Sequence, residues 1–181
     1  MIVVRPTLSL AKRMREKISE CTEKSKSILG DWYAIELVFE RKQFVFCMSE
    51  HGRLPVALQA APYASFPERL PKLVFEILIG IGVPKKLAEN ECGKMGEYKL
   101  GKTDNRSVLG TMKQMRIDLD YFDPPGRAIP IDPLGLSLEL CDFGTMSLPE
   151  FTPQRATRKL FGLEPKGPIE NRPHLRLVNP G

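Results

Sequence analysis

The chain has 181 residues, 42% of them apolar, and 27 Lys and Arg against 22 Asp and Glu give it a formal net charge of +5. That length and apolar content suit one domain with an extension or at most two small domains. No apolar run reaches the roughly 18 residues of a membrane helix, because the longest, 73–83, is interrupted by Glu76 and two glycines. Cys21, Cys47, Cys92 and Cys141 are dispersed with no C-x-x-C pair, and the only histidines are His51 and His174. No metal site, disulfide framework or cofactor is therefore expected, and the thiols should be reduced. The charge is uneven, with 20 basic against 15 acidic residues in 1–122 and 7 against 7 in 123–181. A basic first part suits a phosphate-bearing partner. The apolar start Ile2-Val3-Val4 is too short for a secretory signal, so a cytoplasmic protein without membrane association is expected.

Met1 to Val4 reads as a short strand, followed by a helix capped by Thr7 through Leu8, Leu10, Ala11 and Met14. Its few apolar positions place this helix at a sheet edge. Residues 20–27 are polar and charged and read as a flexible connection. Alternation of Tyr33, Ile35, Leu37 and Phe39 predicts a strand with one buried face. A polar turn at Glu40 to Gln43 leads into Phe44 to Met48, apolar throughout and so a central strand. The turn Glu50-His51-Gly52-Arg53 precedes Leu54 to Leu58, which is either an edge strand or one that begins after Pro55, because Pro55 lacks an N–H. These three strands form an antiparallel meander.

Leu70, Leu73, Val74, Ile77, Leu78 and Ile81 mark the main core helix, with Pro67 or Pro71 near its first turn. A shorter helix is expected from about Lys85 to Met95 and a brief strand at Tyr98 to Leu100. The polar turn from Gly101 then runs into a helix whose stripe is Val108, Leu109, Met112, Met115, Leu119 and Phe122. The expected class is α+β, an antiparallel meander packed against two or three helices, over residues 1–122. Residues 123–181, with ten of the sixteen prolines, read as a Pro-rich extension or docking arm. Within it Leu134, Leu136, Leu138 and Leu140 alternate with Gly, Ser and Glu as in a strand, which could add to an open sheet edge of this chain or a second copy.

The site with most chemistry is the helix start at 102–107. Lys102, Thr103, Asn105, Arg106 and Ser107 combine hydrogen-bond donors and two cations with the positive end of a helix dipole, the components of a phosphate or anion site. No G-x-x-x-x-G-K-[ST] pattern accompanies them, so a nucleoside triphosphate loop is not indicated. Trp32 and Tyr33 are candidates to stack a base or sugar, although an aromatic pair at a strand start also serves as core. Glu50 and His51, with Arg53 close by in sequence and Arg106 at the helix start, are the candidates for acid/base chemistry on a phosphodiester.

Gly30-Asp31-Trp32-Tyr33-Ala34 and Gly101-Lys102-Thr103-Asp104-Asn105-Arg106-Ser107-Val108-Leu109-Gly110, with the opening strand and basic helix, resemble a family of small bacterial proteins known as a domain of unknown function. The resemblance covers residues 1 to about 122. It implies no established activity, so function rests on the residues. The first expectation is a non-enzymatic module that binds nucleic acid or another phosphorylated partner through the helix start. One alternative is a small cofactor-free ribonuclease or phosphate-processing enzyme of the toxin type. Another is a protein–protein interaction module, homo-oligomeric or not, that uses residues 134–161.

Overall fold

β-branched residues favour extended backbone, and Ile2, Val3 and Val4 open β1 (Ile2–Pro6). In the computed structural model, which describes residues 1–122 and 132–167, every residue of β1 is buried. Thr7 caps α1 (Leu8–Met14) by accepting from the Leu10 N–H. The meander follows as β2 (Trp32–Phe39), β3 (Lys42–Ser49) and β4 (Pro55–Gln59). Next come α2 (Phe66–Gly80), α3 (Lys85–Gly93), β5 (Tyr98–Leu100) and α4 (Arg106–Phe122). Beyond Phe122, the described part contains α5 (Pro133–Cys141) and α6 (Pro153–Leu160).

The five strands form one sheet in the order β4-β3-β2-β1-β5. β2, β3 and β4 pair antiparallel, as the meander predicts, whereas β1 runs parallel to both β2 and β5. The fold is α+β with a mixed, mostly antiparallel sheet. Strand alternation sends side chains to two faces. Ile2, Val4, Trp32, Ala34, Val45, Cys47, Val56 and Leu58 belong to a core shared with α1, α2 and α3. Tyr33, Leu37, Phe44, Phe46, Met48 and Ala57 belong to a second core with Val108, Met112, Met115 and Leu119 of α4. The sheet is therefore covered on both faces, where one buried face had been expected. For α1 the expected edge position is corrected too: it packs on β1 and β2, both interior strands, and buries Leu10, Ala11 and Met14.

Residues 134–140 form a helix rather than a strand. Asp132 caps it through the Gly135 N–H and Pro133 occupies its first turn, a combination that fixes a helix start whatever the alternation downstream. The alternating leucines fit because the helix is buried on two sides: Leu136 and Leu140 join the α4 core while Leu138 and Cys141 join the other. α5 lies along β4, and the Ser137 hydroxyl accepts from the Ala57 N–H at 2.8 Å. An edge-strand donor that would otherwise be open for pairing is thus satisfied by a side chain. α6 is tied to the end of α2 by Arg158, buried to 5% exposure, whose guanidinium donates to the Ile81 and Gly82 carbonyls at 3.0 and 2.9 Å. A cation there complements the negative helix end.

Candidate functional site

The α4 start sits over a buried charge cluster built mainly from residues upstream. Arg5 projects from β1 into the α4 side of the sheet, in register with Tyr33 of β2. Its Nε donates to Asp31 Oδ2 at 2.7 Å, with the two side chains 2% and 0% exposed. The Arg5 Nη1 donates to the Lys102 carbonyl at 2.6 Å and lies 3.4 Å from Asp104. Asp31 also accepts from the Ser25 N–H and hydroxyl, each at 2.8 Å. The loop before β2, which the sequence marks only as a flexible connection, is thereby pinned over β1.

Lys24 from the same loop reaches Asp31, Glu50 and Asp104 at 3.3, 3.3 and 3.4 Å. Burial pushes the Asp31 carboxyl up, but the Ser25 N–H, the Arg5 guanidinium and the Ser25 hydroxyl outweigh it and hold the group below the usual aspartate range. Asp104 shows the same balance, its burial offset by the Tyr33 hydroxyl and then by Arg5 and Lys24. Tyr33 is pushed well above the usual phenol range by burial and by Asp104, whose carboxylate accepts a hydrogen bond from the Tyr33 hydroxyl. It stays a neutral donor.

The predicted anion residues divide. Asn105 is the cap of α4: its Oδ1 accepts from the Ser107 and Val108 N–H groups at 3.1 and 3.3 Å, so two helix-start donors are already used. Its Nδ2 reaches Glu50 at 3.4 Å. Lys102 turns away, its Nζ 2.7 Å from Glu20. Thr103 is half-buried in the turn, and Arg106 is exposed. The Ser107 hydroxyl accepts from Arg53 Nη2 at 3.2 Å. Neither Arg53 nor Arg106 forms an ion pair among the described residues.

Trp32 and Tyr33 are both fully buried, Trp32 in the core with α1 to α3 and Tyr33 beneath α4. The stacking role is corrected accordingly, since neither ring offers a face to a ligand. Glu50 is held by Lys24 and Asn105. His51 is exposed and its Nδ1 lies 3.0 Å from the Ile28 carbonyl. No described hydrogen bond or ion pair joins His51 to Glu50 or Arg106, so the three weak catalytic candidates are not assembled into a proton-transfer unit.

Beside the α4 start lies a cleft of about 440 Å³ between α4 and the turn at 144–147, and Ser107 is part of its wall. Sequence reasoning missed Arg5, Lys24 and this cleft. A charged residue inside an otherwise apolar strand was the available signal for Arg5; the cleft joins segments about 35 positions apart and left no local trace.

A family model for a domain of unknown function, DUF6933, matches residues 3–150. The chain belongs to that family. The DUF6933 match runs past Phe122 through α5, so it takes in both walls of the cleft as well as the α4 start. No curated protein and no solved structure gives a match. None of the chain's four cysteines is in a disulfide, and burial pushes Cys92 up to about 12, with the Glu91 carboxylate adding to it. Among the described residues no helix is long and apolar enough to cross a membrane, and no cluster of three or more His, Cys, Asp or Glu could hold a metal.

Proposed function

We propose that this protein is a non-enzymatic module that binds a phosphate-bearing partner at the first turn of α4. One observation carries the reading: at a helix start Arg53 donates to the Ser107 hydroxyl and the exposed Arg106 is the first helical residue, and neither forms an ion pair among the described residues. In the surrounding group Arg5, Lys24 and Arg53 face Asp31, Glu50 and Asp104, three cations against three carboxylates, and Arg106 adds an exposed cation at the helix start. Arg5 and Lys24 are taken up by those carboxylates, which leaves the positive excess at Arg53 and Arg106. The reading thus moves the contact from Lys102, which Glu20 neutralises, to the two arginines, whose planar donors suit phosphate oxygens. The helix dipole supports an anion here, but with two N–H groups capped it is the side chains that must make the contacts.

The test is fluorescence anisotropy with mixed DNA and RNA oligonucleotides and calorimetry with inorganic phosphate, each across a salt series. Binding should weaken as salt rises, and Arg106→Ala should weaken it by about tenfold, the value of one lost charge-assisted contact. Absence of binding at low salt to every phosphate-bearing probe would overturn the reading.

A further inference from the structure

The cleft beside α4 differs in chemistry from the cationic helix start that it adjoins. Its described lining includes Ser107, Thr111, Thr145 and Ser147, with the Thr111 and Ser147 hydroxyls 3.0 Å apart, and Gln114, whose amide donates to Asp118 at 2.8 Å; no Lys or Arg is among the described lining residues. Such a wall exchanges hydrogen bonds with a neutral hydroxylated molecule and disfavours an anion at its depth. Met115 is buried along it, and Met146, 91% exposed, stands at its rim, so the face of a ring would find apolar contact. Its volume of about 440 Å³ falls in the range of small-molecule sites.

Gly110, also part of the lining, is the telling residue. Among the described residues a methyl group built there would meet no atom within 4 Å beyond its own turn of helix, and the position has no positive φ to call for glycine. Glycine is nonetheless a poor residue inside a helix. What its missing side chain leaves is open space along the helix. Gly144 on the opposite side is different, because a Cβ there would sit 2.6 Å from the Phe151 ring.

We infer that the cleft seats the hydroxylated ring of a small phosphorylated molecule, a sugar phosphate or a nucleotide, whose phosphate rests on Arg53 and Arg106. Ser107 links the two parts, since its hydroxyl both lines the cleft and accepts from Arg53. This inference rests on the phosphate reading above and names its ligand class.

Calorimetry on the full chain compares inorganic phosphate, ribose 5-phosphate and adenosine monophosphate, with wild type, Gly110→Leu and Met146→Glu. The phosphorylated sugar or the nucleotide should bind at least tenfold more tightly than inorganic phosphate, and the tighter of the two identifies the source. Gly110→Leu, which meets free space and raises helix propensity, should keep its melting temperature, leave phosphate binding within twofold and abolish the tenfold gain. Met146→Glu, at an exposed rim, should reduce the same gain without touching the fold. Equal affinity for all three ligands, unchanged in both variants, would overturn this inference while leaving the phosphate reading intact. No binding of any of the three would also overturn this inference, and the phosphate reading would then stand or fall on the oligonucleotide titration.

Discussion

At Arg5 and Asp31 two opposite charges are taken almost wholly out of water, 2% and 0% exposed, and each is supplied with further hydrogen bonds from the Lys102 carbonyl and from Ser25. Removing one partner of such a pair strands the other. Asp31→Asn should therefore destabilise the protein by about 3–5 kcal/mol in urea denaturation at neutral pH. The pH dependence has a definite sign. The folded Asp31 carboxyl lies below its unfolded value, so its contribution is present above the ordinary aspartate pKa and is lost as pH falls through the lower folded value. The stability difference between wild type and Asp31→Asn should be constant above about pH 5 and shrink once pH falls below about 4. A difference that stays constant down to pH 2 would mean the carboxylate charge is not what the variant loses.

At the scale of elements, α6 is an amphipathic helix that buries Ala156 and Thr157 and is tied to the end of α2 by one charged side chain. Arg158 joins it to the Ile81 and Gly82 carbonyls and, through Nε, to the Glu164 carbonyl at 2.8 Å. Gly82 has φ +82°, and a Cβ there would lie 2.9 Å from Arg158 Nη1, so glycine both makes the turn and admits the guanidinium. Arg158→Leu keeps apolar bulk but leaves two helix-end carbonyls without their charged donor. A loss of about 2–4 kcal/mol is expected, at charge-assisted strength for more than one bond. Arg158→Lys, which keeps charge without the fork, should recover only part of it. Equal stability of all three proteins in chemical denaturation would contradict this account.

Over the whole molecule, the residues after Phe122 complete a sheet that ends in an edge strand. Leu136, Leu138 and Leu140 of α5 are buried against β4 and both cores, a gross contribution of about 5–9 kcal/mol. The Ser137 contact with Ala57 also closes the β4 edge. Truncation after Phe122 should lower the melting temperature by on the order of 10 °C or more, and the uncovered edge should drive association, visible by light scattering. A truncated chain that keeps the melting temperature and the state of association of the full chain would show that α5 and α6 contribute no net stability.

Local pattern was enough for most of the elements. Alternation marked β2, the three-and-four spacing marked α2 and α4, Thr7 marked the start of α1, and Pro55 marked an edge, because each depends on the geometry of a few neighbouring residues. The α4 start was legible as a turn with capping chemistry, and Asn105 does cap it. What the sequence could not determine was pairing at a distance. That β1 lies between β2 and β5, that Lys102 pairs with Glu20, and that Trp32 is core all depend on which segments meet in the folded chain. Period-two leucines in α5 suggested a strand because alternation records burial on one face only when the element has one buried face. A helix wedged between two cores and an edge is buried on more than one side, so its identity was decided by Asp132, Pro133 and the space beside β4.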